Sequence, residues 1–169
     1  MSTVSTDRFV PFAPATTSQQ IGMQGFRAAL QEQRRVYSTL FRRCSYQPRT
    51  RALTIRTHRV RAFMAPENLG EAAVARLRGY LPIVTLVHRS GAGVWVLLTR
   101  PPEVGDDLLR LARRADSAPI VSVGPGADLA LPTAGVSRRR WRGPAPSDAT
   151  TVDDFPAYAD VIEAITNHV

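Results

Sequence analysis

The chain has 169 residues, 44% of them hydrophobic, and a formal net charge of +8. This length and composition suit one compact domain with a buried core, and the single cysteine, Cys44, excludes an internal disulfide framework and a cysteine-type zinc site. No apolar run is long enough to span a membrane, and the N-terminus has no signal-type pattern. We therefore expect a cytoplasmic protein, or one inside a virion or other particle, and not a secreted one.

The basic charge comes entirely from arginine, because all 22 basic residues are arginine and none is lysine. Guanidinium groups bind phosphate and carboxylate through two hydrogen bonds at once, so this composition favours polyanionic partners. A GC-rich genome also replaces lysine by arginine without functional reason, and the sequence leaves both explanations open.

The charge is distributed unevenly along the chain. Ten arginines and one acid, Glu32, lie between Arg27 and Arg61, whereas five acids and no arginine follow Arg142. This dipole predicts either an exposed polyanion site that the acidic tail shields, or a tail that docks on the basic region of a neighbouring subunit.

Residues 1–16 are rich in serine, threonine, proline and alanine around two lone aromatics, Phe9 and Phe12. Such a segment predicts an extended arm that does not hold a shape by itself. An assembly partner could hold it, so we expect a homo-oligomer formed through this arm and the acidic tail.

Residues 17–45 predict a long N-terminal helix from about residue 18 to 44. Thr17 and Gln20 form a capping-box start for it. Its apolar stripe recurs at helical spacing, at Phe26, Leu30, Tyr37, Phe41 and Cys44. Cys44 is therefore expected to be a buried, unreactive thiol.

Residues 50–135 predict an α+β core. In chain order its elements are a strand with a bulge at 52–63, a helix from Pro66 to about Gly79, hairpin strands at 81–88 and 94–99, a helix at 104–114 and a buried strand at 118–123. The second helix should turn Val104, Leu108 and Leu111 inward. The order βαββαβ predicts a ferredoxin-like core, in which two helices cover one face of a four-stranded antiparallel sheet.

Residues 136–169 predict a basic loop and an acidic C-terminal helix, which add to this core. Strand pieces at 129–131 and around Val136 can extend the sheet. Helically spaced apolar residues from Val152 to about His168 predict the final helix.

Catalytic motifs are scarce. His58, His88 and His168 are scattered without metal-ligand spacing, so we predict no metal and no cofactor. The loop Gly124–Asp128 is more typical of a turn than of a phosphate loop, because Pro125 lacks a backbone amide donor. No nucleophile, base and orienting group can be assembled, and the sequence therefore predicts a protein that is not an enzyme.

Two basic clusters carry the functional hypothesis. The first lies on the N-terminal helix and the strand after it, at Arg35, Arg42, Arg43, Arg56, Arg59 and Arg61. The second is the run Arg138, Arg139, Arg140, Trp141 and Arg142, whose indole could stack on a nucleic-acid base. The alternative for this run is an arginine-rich loop that Trp141 anchors to the domain.

We therefore predict a non-enzymatic protein that binds nucleic acid, or another polyanion, through arginine with low sequence specificity. The sequence does not distinguish DNA from RNA. The alternative is a structural subunit of a homo-oligomer or of a viral or phage particle, which accounts for the arm and the charge dipole.

Overall fold

A computed structural model describes residues 17–79, 81–86, 93–136 and 138–167, with side chains from residue 22 onward. The described residues form a mixed α+β fold. The helices are α1 (Thr17–Phe41), α2 (Glu67–Arg76), α3 (Leu108–Asp116) and α4 (Tyr158–Thr166), with a 3-10 turn at Val152–Asp154. The strands are β1 (Cys44–Gln47), β2 (Ala52–Arg56), β3 (Arg61–Pro66), β4 (Ile83–Leu86), β5 (Val94–Thr99), β6 (Val121–Val123), β7 (Asp128–Leu131) and β8 (Arg139–Trp141).

The strands form two antiparallel sheets. The smaller sheet has the order β1-β2-β7, and the larger has the order β6-β3-β5-β4-β8. Strands β1, β6, β7 and β8 are therefore edge strands. In the smaller sheet Tyr46 is opposite Leu53, and in the larger sheet Val84 is opposite both Val96 and Trp141.

The two faces of the larger sheet enter different cores, because successive strand residues point to opposite faces. Val96 and Leu98 of β5 pack with α1 and the smaller sheet, in a core that includes Tyr37 and Phe41. Trp95 and Leu97 pack instead with residues of α2, α3 and α4. Helix α1 and the smaller sheet thus cover one face, and the other three helices cover the opposite face.

The prediction of one bulged strand at 52–63 is wrong. Strands β2 and β3 belong to different sheets, and residues 57–60 turn between them. Thr57 holds this turn to the loop after β6, because its hydroxyl donates to the carbonyl of Gly124 at 2.6 Å and accepts from the amide of Ala127 at 3.1 Å. The change of apolar phase along 52–63 therefore marks a change of sheet.

Helix α1 ends earlier than predicted. Arg42 takes a left-handed conformation, with φ of 66°, that ends the helix, and Cys44 opens β1 opposite Ile55. Cys44 is buried as expected. Burial raises the pKa of its thiol to about 11, and the nearby charge of Arg34 offsets part of that rise.

Helix α3 begins later than predicted, and two of its expected core residues are exposed. The Asp107 side chain caps the helix by accepting a hydrogen bond from the amide of Arg110 at 3.0 Å. Val104 lies outside the helix and is fully exposed, and Leu108 is 54% exposed; Leu111 alone of the predicted three is buried. The strand predicted as buried at 118–123 is the edge strand β6, where Val121 is 62% exposed.

The ferredoxin-like core is not confirmed as predicted. The larger sheet has a fifth strand, β8, beyond β4, and α4 packs against both α2 and α3. The predicted basic loop is in part this fifth strand. The C-terminal helix is shorter than predicted, because Pro156 separates α4 from the 3-10 turn before it. Among the described residues, no helix is both long and apolar enough to cross a membrane.

Several sequence predictions lie outside the described residues. These are the arm at 1–16, Tyr80, the turn between β4 and β5 with His88, and His168.

Candidate nucleic-acid interface

The eleven residues predicted to bind nucleic acid occupy separate parts of the fold. Arg35 lies on α1, Arg42 and Arg43 lie between α1 and β1, and Arg56, Arg59 and Arg61 lie on or beside the turn between β2 and β3. Arg138 to Arg142 lie on the edge strand β8 or directly beside it. The fold therefore divides the predicted interface, and each part has its own surroundings.

Arg35 is already bound to two carboxylates. Its Nη2 atom lies 2.5 Å from Oε1 of Glu32, one turn earlier on α1, and 2.5 Å from Oδ2 of Asp148 in the acidic C-terminal region. The hydrogen bond to Arg35 lowers the pKa of Glu32, and the hydrogen bonds to Glu32 and Asp148 raise the pKa of Arg35. A polyanion would have to displace Asp148 to use this guanidinium fully.

The three arginines around the β2–β3 turn contact their own chain. Arg56 pairs with Asp128 at 3.4 Å, and both side chains are well exposed. Arg59 donates to the carbonyl of Leu40 in the last turn of α1 at 3.3 Å, where the helix dipole favours a positive charge. Arg61 donates to three backbone carbonyls of the turn, the shortest bond being 2.8 Å to Thr57. These contacts support the turn.

Trp141 is a partly buried anchor of β8. Its indole N–H donates to the hydroxyl of Tyr37 at 2.9 Å, and the two rings meet edge to face at 6.2 Å. The Tyr37 hydroxyl in turn donates to the carbonyl of Pro132 and accepts from Gln33. Burial raises the pKa of Tyr37 to about 12. This is the geometry of the anchoring alternative; whether Trp141 also stacks on a base stays a prediction.

The arginines of β8 differ in how far they are engaged. The Arg142 guanidinium lies 4.1 Å from the ring centroid of Trp95 and 3.7 Å from Glu71. Arg139 is half-buried, whereas Arg138 and Arg140 are exposed. We refer to Arg138, Arg139, Arg140, Trp141 and Arg142 as the β8 edge.

A second edge strand, β1, has exposed arginines on either side of it along the chain. Arg42 and Arg43 directly precede β1, Arg49 and Arg51 lie in the turn that follows it, and all four are exposed. None of the four makes an ion pair with a residue that the structure describes. Tyr46 lies on β1 between the two pairs and is 36% exposed. We call Arg42, Arg43, Tyr46, Arg49 and Arg51 the β1 surface.

The β1 surface has an unusual backbone at two of its arginines. Arg42 and Arg51 have φ of 66° and 51°, and they are the two non-glycine residues with positive φ in the described part of the chain. This conformation brings Cβ close to the following carbonyl, so glycine or asparagine is the usual residue there. The fold alone would therefore favour glycine at both positions.

Sequence reasoning missed Tyr46, Arg49 and Arg51. The signal was available, because Arg42 to Arg51 contain four arginines around one aromatic, the same pattern that identified Arg138 to Arg142. The predicted helix end at residue 44 concealed it, since it separated Arg42 and Arg43 from the turn that the structure brings into line with them.

The described residues contain no group of three or more histidine, cysteine, aspartate or glutamate side chains that could hold a metal ion. An open cleft of about 540 Å³ lies between the end of α2 and α4, where Arg76, Arg78 and Arg100 face Asp160 and Glu163. No protein-family model, curated protein or solved structure matches the chain.

Proposed function

We propose that this chain is a non-enzymatic nucleic-acid-binding protein of low sequence specificity, and that the β1 surface is its main contact. The observation that carries the proposal is the positive φ of two exposed arginines, Arg42 and Arg51, on one surface. A strained residue that the fold does not require points to a use for its side chain.

The charge of this surface suits a phosphate backbone. Its four guanidiniums are not neutralised by any described carboxylate, so each can release a condensed counterion from a bound phosphate. Strand β1 has four residues and spans roughly 13 Å, about four 3.4 Å nucleotide rises. Arginine contacts to phosphate carry no base information, which is why we expect low specificity.

The other predicted arginines have supporting roles in this proposal. Arg138 and Arg140 are exposed and extend the positive surface, and Arg35 contributes when Asp148 is displaced. Arg59 and Arg61 stabilise the fold through their hydrogen bonds to backbone carbonyls, whereas the exposed ion pairs of Arg56 and Arg142 contribute little to stability. A ferredoxin-like arrangement of β3 to β6 belongs to the same proposal, supported by the spatial order of β6, β3, β5 and β4. A location in the cytoplasm or in a particle also belongs to it.

The test uses two double variants that remove the same charge. Arg42→Gly with Arg51→Gly should leave the fold unchanged, or stabilise it by up to about 1 kcal/mol per site, because glycine relieves the positive φ. The same variant should reduce the slope of log affinity against log salt by about 1.4 for a single-stranded oligonucleotide, since two phosphate contacts are lost.

The matched control is Arg76→Gln with Arg78→Gln, on exposed arginines at the end of α2. Titrations at two ionic strengths should show a reduction of the slope by less than about 0.5 for this control. The proposal would be contradicted if the two variants had equal effects. It would also be contradicted if the wild-type chain bound no oligonucleotide at roughly 50 mM salt, where phosphate contacts are strong.

A structural subunit of a homo-oligomer is the second candidate. Residues 22–29 of α1 are all exposed, including Met23 at 60% and Phe26 at 43%, so this part of the helix presents apolar side chains to solvent. The acidic tail supports this candidate less, because Asp148 and Glu163 pair with arginines of their own chain. Light scattering of the purified chain without nucleic acid should show a defined oligomer if this candidate is correct, and a monomer if it is not.

A further inference from the structure

Tyr46 occupies the centre of the β1 surface. It lies on an edge strand, with Arg42 and Arg43 before it and Arg49 and Arg51 after it. Cys44 and Tyr46 are two residues apart on β1 and therefore share a face, on which Cys44 is buried and Tyr46 is 36% exposed. Along the chain, two exposed arginines precede this strand and two follow it.

The Tyr46 side chain makes few contacts with the described residues. Its hydroxyl makes no hydrogen bond with a described residue, whereas the hydroxyl of Tyr37 has three partners. Its ring makes no aromatic contact within the described residues, whereas Tyr37 meets the rings of Phe41 and Trp141. The contacts of Tyr37 therefore stabilise the fold, whereas the Tyr46 ring is accessible to a ligand.

We infer that Tyr46 is a stacking platform for an unpaired base, so that the β1 surface selects single-stranded over double-stranded nucleic acid. This inference rests on the proposed function. An unpaired base can place its π-face on the ring while the flanking arginines hold the adjacent phosphates. In a duplex the bases are stacked on one another, and the same surface keeps only its phosphate contacts.

The geometry of β1 agrees with a strand-like ligand. Ser45 and Gln47 flank Tyr46 and are exposed on the opposite face of β1, so a base stacked on Tyr46 meets the ring without them. Because β1 is an edge strand, no described strand covers its outer side. Stacking tolerates every base, so this inference predicts a preference for single strands without a marked sequence preference.

The test measures affinity for a labelled 20-nucleotide thymidine oligomer, a duplex of the same length, and an abasic oligomer of the same charge. Tyr46→Leu should weaken binding to the thymidine oligomer about fivefold to tenfold, the lower part of the range for loss of one stacked base, and change duplex binding less than about twofold. Tyr46→Phe, which keeps the ring, should behave as the wild-type chain does.

The abasic oligomer separates stacking from other effects of the leucine. Wild-type protein should bind it about as weakly as Tyr46→Leu binds the thymidine oligomer, and the leucine variant should not distinguish the two single strands. Equal losses on single strand and duplex, an unchanged leucine variant, or a phenylalanine variant as weak as the leucine variant would overturn the inference. A wild-type preference for duplex would overturn it while leaving the proposed function intact, and the absence of all binding would overturn both.

Discussion

The β1 surface and the β8 edge have nearly the same composition and different surroundings. Each places four arginines around one aromatic residue on an edge strand. On β8 the aromatic residue, Trp141, is bonded to Tyr37, and Arg142 lies over Trp95. On β1 the hydroxyl of the aromatic residue, Tyr46, makes no hydrogen bond with any residue in the described part of the chain. The same local pattern therefore serves the core at one edge and faces solvent at the other.

Arginines on an edge strand also have a structural use. An exposed edge strand offers unpaired backbone groups to other chains, and charged side chains prevent such pairing. Arg138 and Arg140 can protect β8 in this way without binding any ligand. Arg42 and Arg51 are different, because their positive φ destabilises the fold at the positions where they stand.

Replacing Trp141 should cause the greatest loss of stability and tests whether this side chain belongs to the core. Trp141→Ala should lower the free energy of unfolding by about 3 kcal/mol, the lower end for loss of a large aromatic, because the ring is only partly buried. Urea denaturation followed by circular dichroism would measure it. Trp141→Phe, which keeps a ring but loses the N–H donor, should cost about 1 kcal/mol. A stable alanine variant with weakened single-strand binding would instead make Trp141 a stacking residue.

The next effect tests the same anchor through pH. Burial raises the pKa of Tyr37 to about 12 from its ordinary value of 10.0, so the folded state holds the hydroxyl proton more tightly than the unfolded chain does. This contribution to stability is complete below pH 10 and is lost as the pH rises to about 12. The loss increases the equilibrium constant of unfolding by up to about a hundredfold.

Urea midpoints measured between pH 8 and pH 12 would follow the Tyr37 effect, because this range spans the ordinary tyrosine pKa of about 10. Cys44, whose pKa burial raises to about 11 from 9.0, should add a loss that starts near pH 9, and Cys44→Ala separates it. Tyr37→Phe should be less stable at neutral pH and should lose the part of the decline between pH 10 and 12. A decline that Tyr37→Phe leaves unchanged would exclude Tyr37 as its source.

We expect the smallest change from Asp148, which pairs with Arg35 of α1. The proposed function assigns Arg35 to phosphate, and because both side chains are more than half exposed, their pair contributes little to stability. Asp148→Asn should raise affinity for a single-stranded oligonucleotide about threefold without altering the urea midpoint.

The matched control is Asp153→Asn, which removes the same charge from an exposed residue that has no described ion pair. It should change affinity less than about twofold. The gain from Asp148→Asn should also disappear when Arg35 is replaced by glutamine. An equal gain from both asparagine variants would mean that net charge alone, and not the Asp148 contact, limits binding.

Much of the local structure could be predicted from residue patterns. The long first helix and the strands at 83–86 and 94–99 follow from apolar spacing, because that spacing decides which side chains can leave water together. The same spacing predicts Cys44 buried on a helix, whereas it is buried on strand β1. The errors concern where elements end and which sheet they join. The single strand predicted at 52–63 is two strands, and the expected core residues Val104 and Leu108 precede or open α3 on its exposed side.

The candidate site likewise has features that the residue order predicts and features that depend on packing. The amount of arginine, its concentration before residue 62 and its proximity to an aromatic residue at two places can be read directly from the amino-acid order. Which arginines are neutralised depends on the folded chain, because Asp148, Asp128 and Glu71 are distant along the chain from the arginines that they contact. The tertiary structure also decided that Trp141 meets Tyr37, 104 positions away, while Tyr46 stays at an open edge. Such contacts depend on how sheets and helices pack, and side-chain spacing along one strand carries no information about them.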